Sequence, residues 1–312
     1  YILEDYTRED EDDDDDADGP FAVGTDRYGI LLNSGGTHTG NITTGSSSEM
    51  SIEGKNSAGI SLQSALDGDL TIDGAVYILG DDSTAIEALE AISGDVLISS
   101  SITSQGENAV ALDMQGDIGG AFTVESYVYS TGFESTSATN YILPSNVDED
   151  TEAVEDRLDA DAILDNTATV IIGGSVDGGI LINGAVDDYI SEEDSEDETK
   201  DTIEDYDENR TTGTIYSYGS GPALLISADA DNEADGDLLI GTVVETVRDT
   251  TDDDDDDDIT ETLAVFDYDY GLINRGAIGG YGQNVGFEAT AVRIEGEQSG
   301  DGQTIIEGGF LN

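Results

Sequence analysis

Cysteine and tryptophan are absent from the 312-residue chain, histidine occurs once, and lysine and arginine together number 9. Without cysteine, disulfides, zinc–thiolate sites, iron–sulfur clusters and thiol nucleophiles are excluded. The 72 acidic residues give a formal net charge of -63. The chain therefore has too few basic residues to form a surface that binds nucleic acid or an anionic membrane. His38 alone cannot form a histidine metal site.

Long apolar runs are also missing. No stretch of 18 apolar residues occurs, so we expect no membrane-spanning helix. Tyr1 opens the chain without the charged and apolar regions of a signal peptide, and the last residues continue a repeat. We therefore interpret the chain as a piece of a longer polypeptide. Its 37% hydrophobic residues suffice for a core, so the charge does not indicate a disordered chain.

The acid is concentrated in runs near 4–18, 148–161, 191–210 and 249–258, and the last run holds seven consecutive aspartates, Asp252 to Asp258. The segments between the runs carry little charge, and residues 28–48 carry none. General adaptation to salt would spread acid over every solvated face. The pattern instead favours acidic insertions in a charge-poor scaffold, and we expect them to display their acid on one side.

The charge-poor segments repeat one another. One half of the unit is a small residue followed by two apolar residues at i and i+2, as in Gly59-Ile-Ser-Leu62. The other half is Gly-Asp followed by the same alternation, as in Gly68-Asp-Leu-Thr-Ile72, Gly94-Asp-Val-Leu-Ile98 and Gly236-Asp-Leu-Leu-Ile240. Where no acidic run intervenes, the period is about 22–26 residues.

Apolar residues at i and i+2 indicate strands with one buried face. Strands this short cannot bury their faces alone, and stacking successive units gives them a continuous core. We therefore predict an all-β parallel β-helix (β-solenoid) with acidic loop insertions, continuous over residues 1–312. Residues 85–92 have helical spacing, but their place in the repeat predicts a strand. Residues 151–164 are a candidate short helix within an insertion.

One part of the chain resembles the passengers of autotransporter-type surface proteins of Gram-negative bacteria, especially alphaproteobacteria. It consists of the segment Gly173 to Gly184, an acid-rich insertion and then Ser220-Gly-Pro-Ala-Leu-Leu-Ile226. The resemblance implies a right-handed parallel β-helix, export to the outer cell surface, and a C-terminal β-barrel that this sequence does not contain. It carries over no catalytic residue, because such passengers share a scaffold and not an active site. The long aspartate runs depart from common adhesin passengers.

Alternating carboxylates in the runs are candidate Ca²⁺ ligands, because calcium takes six to eight oxygen ligands. The best-spaced series lies between two apolar strands, and two others lie inside acidic runs: Asp229, Asp231, Glu233, Asp235 and Asp237; Asp14, Asp16 and Asp18; Asp252, Asp254, Asp256 and Asp258. The second series starts like an EF-hand loop, but Thr25 stands where the bidentate glutamate should be. Solvated runs with only an ion atmosphere are the alternative.

The sequence thus favours an extracellular structural β-solenoid, such as an adhesin, stalk, filament or surface-layer component, able to self-associate end to end. A calcium- or carbohydrate-binding module that contacts a surface glycan or host partner is the alternative. A polysaccharide-processing enzyme is less favoured, because the few basic residues are scattered. We expect His38 in a solvated turn. Five C-terminal tyrosines pack on the solenoid wall or form a sugar- or partner-contacting patch: Tyr216, Tyr218, Tyr268, Tyr270 and Tyr281.

Overall fold

A computed structural model describes residues 1–3, 22–132, 167–184, 212–229, 236–248, 262–282, 288–297 and 302–312. Every regular element in these ranges is a β-strand, as the repeat predicted. The same ranges contain no helix with the length and apolar character needed to cross a membrane. The candidate helix at 151–164 lies outside them.

The strands are short, and those of the first half are β1 (Tyr28–Leu32), β2 (Thr37–Thr39), β3 (Ile42–Thr44), β4 (Glu49–Glu53), β5 (Ala58–Leu62), β6 (Ala65–Asp67), β7 (Leu70–Ile72), β8 (Ala75–Leu79), β9 (Thr84–Ala88), β10 (Val96–Ile98), β11 (Ile102–Gln105), β12 (Val110–Met114), β13 (Phe122–Val124) and β14 (Tyr127–Thr131). The second half adds β15 (Val170–Ile172), β16 (Ile180–Ile182), β17 (Thr214–Ser217), β18 (Pro222–Ser227), β19 (Leu238–Ile240), β20 (Val244–Arg248), β21 (Thr262–Asp267), β22 (Leu272–Asn274), β23 (Ala277–Gly280), β24 (Thr290–Glu295), β25 (Thr304–Ile306) and β26 (Phe310–Leu311).

These strands form long parallel ladders. Sheet 1 has seven strands in the order β1-β5-β9-β12-β15-β18-β24, and sheet 3 has seven in the order β3-β7-β10-β13-β16-β22-β26. Sheet 4 has six, β4-β8-β11-β14-β17-β23. Sheet 2 is narrower: β2 pairs with β6, β19 pairs with β25, and single parallel bridges join Leu66, Ile92, Ile118, Val176 and Ile240 between them.

The chain visits sheets 1, 2, 3 and 4 in that cyclic order and then returns to sheet 1 one strand further along. We call one such passage a circuit. Between β5 and β14 equivalent residues are 26 apart, as in Ala58, Thr84 and Val110 on sheet 1. The prediction of an all-β structure with stacked parallel strands is confirmed. Residues 85–92 contribute β9 and the bridge at Ile92, so the strand prediction there is also confirmed.

Strand alternation builds the core. In β7, Leu70 and Ile72 are fully buried while Thr71 between them is half-exposed. The same buried pair recurs in the next strands of sheet 3, as Val96 and Ile98, Phe122 and Val124, and Ile180 and Ile182. One apolar cluster extends through the stack from Ile52 to Leu272. Each fully buried Leu or Ile side chain contributes roughly 1.5–3 kcal/mol.

Close packing at the corner between sheets 4 and 1 explains the small residue of the repeat. A Cβ added at Gly59 would lie 2.7 Å from Val76 Cγ1 across the interior. The same corner turns through a left-handed residue in four successive circuits, at Asp26, Asn56, Asp82 and Asn108, with φ of 58°, 48°, 51° and 55°. Asn and Asp tolerate this conformation best among residues with a side chain, which accounts for their place there.

Two features depart from the regular stack. The strands β20 and β21 form an antiparallel hairpin between sheets 2 and 3, and the 249–258 acidic run lies between them. His38 lies in the exposed strand β2 rather than in the expected turn, because it pairs with Leu66 of the next circuit.

Candidate binding face

Ten of the twelve predicted calcium ligands lie outside the described residues: Asp14, Asp16, Asp18, Asp231, Glu233, Asp235, Asp252, Asp254, Asp256 and Asp258. Asp229 and Asp237 are described. The Asp229 N–H donates to Ser227 Oγ at 3.2 Å, and Asp237 Oδ1 accepts the Gln303 N–H at 2.9 Å. Within the described ranges, no three acidic or histidine side chains gather around a point where a metal could bind.

In chain order, the acidic runs at 4–18 and 148–161 fall between described residues of sheets 4 and 1, and the run at 191–210 falls between strands of sheets 3 and 4. The run at 249–258 falls between β20 and β21. The runs themselves, and with them the expectation that they display their acid on one side, lie outside the described residues.

Acidic residues inside the repeat have a structural role at the corner between sheets 2 and 3. Asp69 Oδ1 accepts the Asp95 N–H at 2.9 Å, and Asp95 Oδ1 accepts the Ala121 N–H at 2.9 Å one circuit later. A Cβ on Gly94 would overlap the Asp69 carboxylate. The Gly-Asp pair of the repeat is thus explained: aspartate satisfies a backbone donor of the next circuit, and glycine leaves room for that carboxylate.

A second acidic feature lies on the outer face of sheet 1, where Glu87 and Asp113 are register partners on adjacent strands. Ser61 Oγ donates to Glu87 Oε1 at 2.5 Å, and Gln115 Nε2 donates to Asp113 Oδ1. Burial raises the pKa of Asp113 to about 6, the hydrogen bond from Gln115 lowers it, and the neighbouring Glu87 charge raises it further. Burial dominates because it disfavours the charged carboxylate.

We predict that Asp113→Asn raises the free energy of unfolding by about 2 kcal/mol at pH 7.5. The folded pKa of Asp113 lies above its ordinary value of 3.8, so folding binds a proton between pH 4 and pH 6. In the parent chain this group therefore loses stabilising effect as the pH rises through about 6. Urea unfolding of both proteins at pH 4.5 and 7.5 measures the difference, which should shrink at the lower pH. Asp117→Asn, at a more exposed acceptor of the Ser175 N–H, is the control and should show no such gain. Equal stability of Asp113→Asn and the parent at pH 7.5 would contradict the prediction.

A buried ion pair at the base of the β20–β21 hairpin joins the hairpin to the stacked sheets. Arg275 Nη1 lies 3.0 Å from Glu245 Oε2, with side-chain exposures of 13% and 6%. Tyr268 donates its O–H to the same oxygen at 2.7 Å, and the Arg275 guanidinium lies 4.9 Å from the centre of the Tyr268 ring. Tyr268 is therefore part of this anchor and not of a C-terminal tyrosine patch.

Five tyrosines pack together on the outer face of sheet 4. The ring centres of Tyr127 and Tyr216 are 5.4 Å apart, and those of Tyr216 and Tyr281 are 5.3 Å apart, both edge to face. Tyr218 stacks on Tyr281 at 5.2 Å, and Tyr129 lies 6.0 Å from Tyr218. We call Tyr127, Tyr129, Tyr216, Tyr218 and Tyr281 the tyrosine platform. Tyr127 and Tyr281 are its most exposed members, at 40% and 48%.

Strand register assembles this platform from distant parts of the chain. Tyr129 is the partner of Tyr216, and Tyr216 is the partner of Gly279. A Cβ at Gly279 would lie 3.0 Å from Tyr216 and 3.3 Å from Tyr281, so the missing side chain lets both rings approach the strand. The sequence placed Tyr216, Tyr218 and Tyr281 together correctly but missed Tyr127 and Tyr129. The signal for those two was their outward position in the repeat unit.

Two phenols of the platform, those of Tyr216 and Tyr218, have raised pKa values. Burial is the largest cause that raises the pKa of Tyr218 to about 12, and burial also raises the pKa of Tyr216. Nearby phenols add to both shifts, because ionising one ring disfavours charge on the next. The platform therefore offers aromatic ring faces and phenol O–H groups to a ligand.

Three threonine hydroxyls on the same face are buried. Thr103 is the register partner of both Tyr77 and Tyr129, Thr214 is the partner of Tyr127, and Thr131 ends β14. The three residues are 8%, 8% and 4% exposed, and within the described structure none of their Oγ1 atoms has a hydrogen-bond partner. A buried hydroxyl without a partner costs about 1–3 kcal/mol. Valine has nearly the same shape and would avoid this cost.

Comparison with known proteins adds no identification. No family model matches the chain, and neither a curated protein nor a solved structure shows significant similarity to it. The autotransporter resemblance therefore stays a prediction from the sequence pattern.

Proposed function

We propose that the chain is a right-handed parallel β-helix that serves as a structural module on the outside of a cell, with acidic segments that respond to divalent cations. The observation that carries the proposal is the continuous stack of parallel ladders with a 26-residue repeat and a single extended apolar cluster. Such a stack grows by adding identical circuits, which suits a stalk, adhesin shaft, filament or surface layer.

The height of the stack bears on this role. Seven strands of sheet 1, at a spacing of about 4.8 Å, make a stack of about 30 Å. A long rod therefore needs further circuits, supplied by the same polypeptide or by a second copy that adds end to end. Among the described strands, β1 and β24 are the outermost of sheet 1, and an outermost strand can pair with an added strand through its backbone groups.

Divalent cations would act on the acidic runs by screening or bridging their carboxylates. Adjacent carboxylates repel each other by roughly 0.5–0.7 kcal/mol per pair in water, so bringing two copies together is opposed unless the charge is screened or bridged. Calcium coordinated by Asp229 to Asp237, by Asp14 to Asp18 or by Asp252 to Asp258 would supply such a bridge.

We expect Ca²⁺ to raise the melting temperature and to promote assembly, compared with excess EDTA at the same ionic strength in KCl. Circular dichroism melts, sedimentation velocity and negative-stain electron microscopy measure the two effects, and fibre diffraction of the assemblies should show a spacing of about 4.8 Å along the axis. Replacing the aspartates by asparagine in one series at a time identifies the responsible segment. A compact monomer with the same melting temperature in Ca²⁺ and EDTA at all concentrations would overturn the proposal.

A further inference from the structure

We propose that the outer face of sheet 4 binds a neutral polysaccharide, at a site separate from the acidic runs. The site consists of the tyrosine platform together with the threonines at 103, 131 and 214. It does not depend on the proposed structural role, because every residue named for it lies in the described part of a single chain.

The outer face of sheet 4 differs in charge from the rest of the chain. Within sheet 4, the described outward positions from β8 to Tyr281 carry no charged residue: Ala75, Tyr77, Leu79, Thr103, Gln105, Tyr127, Tyr129, Thr131, Thr214, Tyr216, Tyr218, Ala277, Gly279 and Tyr281. The outer face of sheet 1, by contrast, carries Glu87 and Asp113. The first circuit shows the contrast, since β4 carries Glu49 and Glu53 at the equivalent positions.

Three threonines of this face bury hydroxyl groups that have no hydrogen-bond partner within the described structure. Valine would fill the places of Thr103, Thr131 and Thr214 without burying a hydroxyl that lacks a partner. Stability alone therefore does not explain threonine at all three positions, whereas a ligand rich in hydroxyl groups would supply partners. Because the three hydroxyls are buried, contact with such a ligand requires the half-exposed tyrosine rings beside them to rotate on binding.

The chemistry of the tyrosines indicates the class of ligand. Tyrosine combines an apolar ring with a polar tip, which complements a sugar ring with its C–H face and peripheral hydroxyls. Anionic polysaccharides are repelled by the net charge of -63. Cationic ligands find no carboxylate among the outward positions named above. A second copy of the chain would bring its own charge of -63 against this one, which opposes face-to-face pairing at low salt.

The test uses the 312-residue chain in excess EDTA, so that cation-dependent assembly does not interfere. Cellohexaose and dextran are the neutral probes, polygalacturonate is the anionic probe, and a chitosan oligosaccharide is the cationic probe. Titration calorimetry measures affinity, and intrinsic fluorescence gives a second readout that comes from tyrosine, because the chain has no tryptophan.

Two variants test the two parts of the site. Tyr127→Ala with Tyr281→Ala should weaken binding of a neutral glycan at least tenfold. The triple variant Thr103→Val, Thr131→Val and Thr214→Val should weaken it by a similar factor while the melting temperature stays equal or rises, which separates binding from folding. Tyr270→Ala, at an exposed tyrosine away from the platform, is the matched control and should stay within twofold of the parent.

Binding of either neutral probe that depends on the platform supports the proposal. It is overturned if the parent chain binds neither neutral probe, if the tyrosine variant binds as well as the parent, or if only chitosan binds. Self-association in EDTA that the tyrosine variant abolishes would also overturn it, because the face would then be an interface between copies.

Discussion

Arg275→Met should lower the free energy of unfolding by about 3–5 kcal/mol. The substitution leaves the Glu245 carboxylate, only 6% exposed, at the base of the hairpin without the guanidinium that lies 3.0 Å from it. The ring of Tyr268 also loses the cation 4.9 Å from its centre. Chemical denaturation of the purified variant measures the loss. Hydrogen exchange should show the earliest opening in β20 and β21.

A double-mutant cycle separates the pair from simple loss of packing. Glu245→Gln in the Arg275→Met background should recover most of the stability, because the buried charge that lacks its cation is then removed. Arg293→Met is the matched control, since Arg293 and Glu295 lie 3.8 Å apart with exposures of 41% and 32%. An exposed pair of this kind contributes about 0–1 kcal/mol. A loss at Arg275 no larger than the loss at Arg293 would contradict the assignment.

Phe122→Ala should cost about 3–5 kcal/mol, because the ring is fully buried in the middle of the stack. Its neighbours in sheet 3 are Val96 on one side and Ile180 on the other, and both are themselves completely buried. The cavity left by alanine therefore weakens contacts with the circuits on both sides. Urea unfolding measures the loss.

The residues at the equivalent position in other circuits of sheet 3 supply the control. Leu70 and Leu272 occupy the equivalent position in other circuits, so Phe122→Leu should fit and cost less than about 1.5 kcal/mol. If alanine and leucine at position 122 are equally stable, the ring does not bridge successive circuits and the packing inferred for the interior is wrong.

Much of the fold could be predicted because the repeat is local. The i, i+2 alternation around Leu70 and Ile72 defines a buried strand, and the Gly-Asp pair marks the corner before it. Right-handedness and extracellular location came from the resemblance, and both stay proposals. The calcium series could not be related to a geometry, since only Asp229 and Asp237 lie within the described residues.

The candidate binding face on sheet 4 was harder to predict from the sequence. Tyr129 and Tyr216 lie 87 positions apart along the chain, as do Tyr127 and Thr214, with two insertions between them, yet each pair shares a register position. Insertions change the spacing along the sequence without changing the position on the ladder. The sequence contains the tyrosines, but their mutual contacts follow only from the register.

The sequence alone excluded cysteine-based sites and a basic surface for nucleic acid, and it predicted short strands that stack in parallel. It could do so because composition, alternation and period are local properties of the chain. The tertiary structure decided which residues share a surface. It brought the five tyrosines and three threonine hydroxyls onto one uncharged face, joined Arg275 to Glu245 and Tyr268, and raised the pKa of Asp113. These effects depend on burial and on distances across strands, which arise only when the circuits stack.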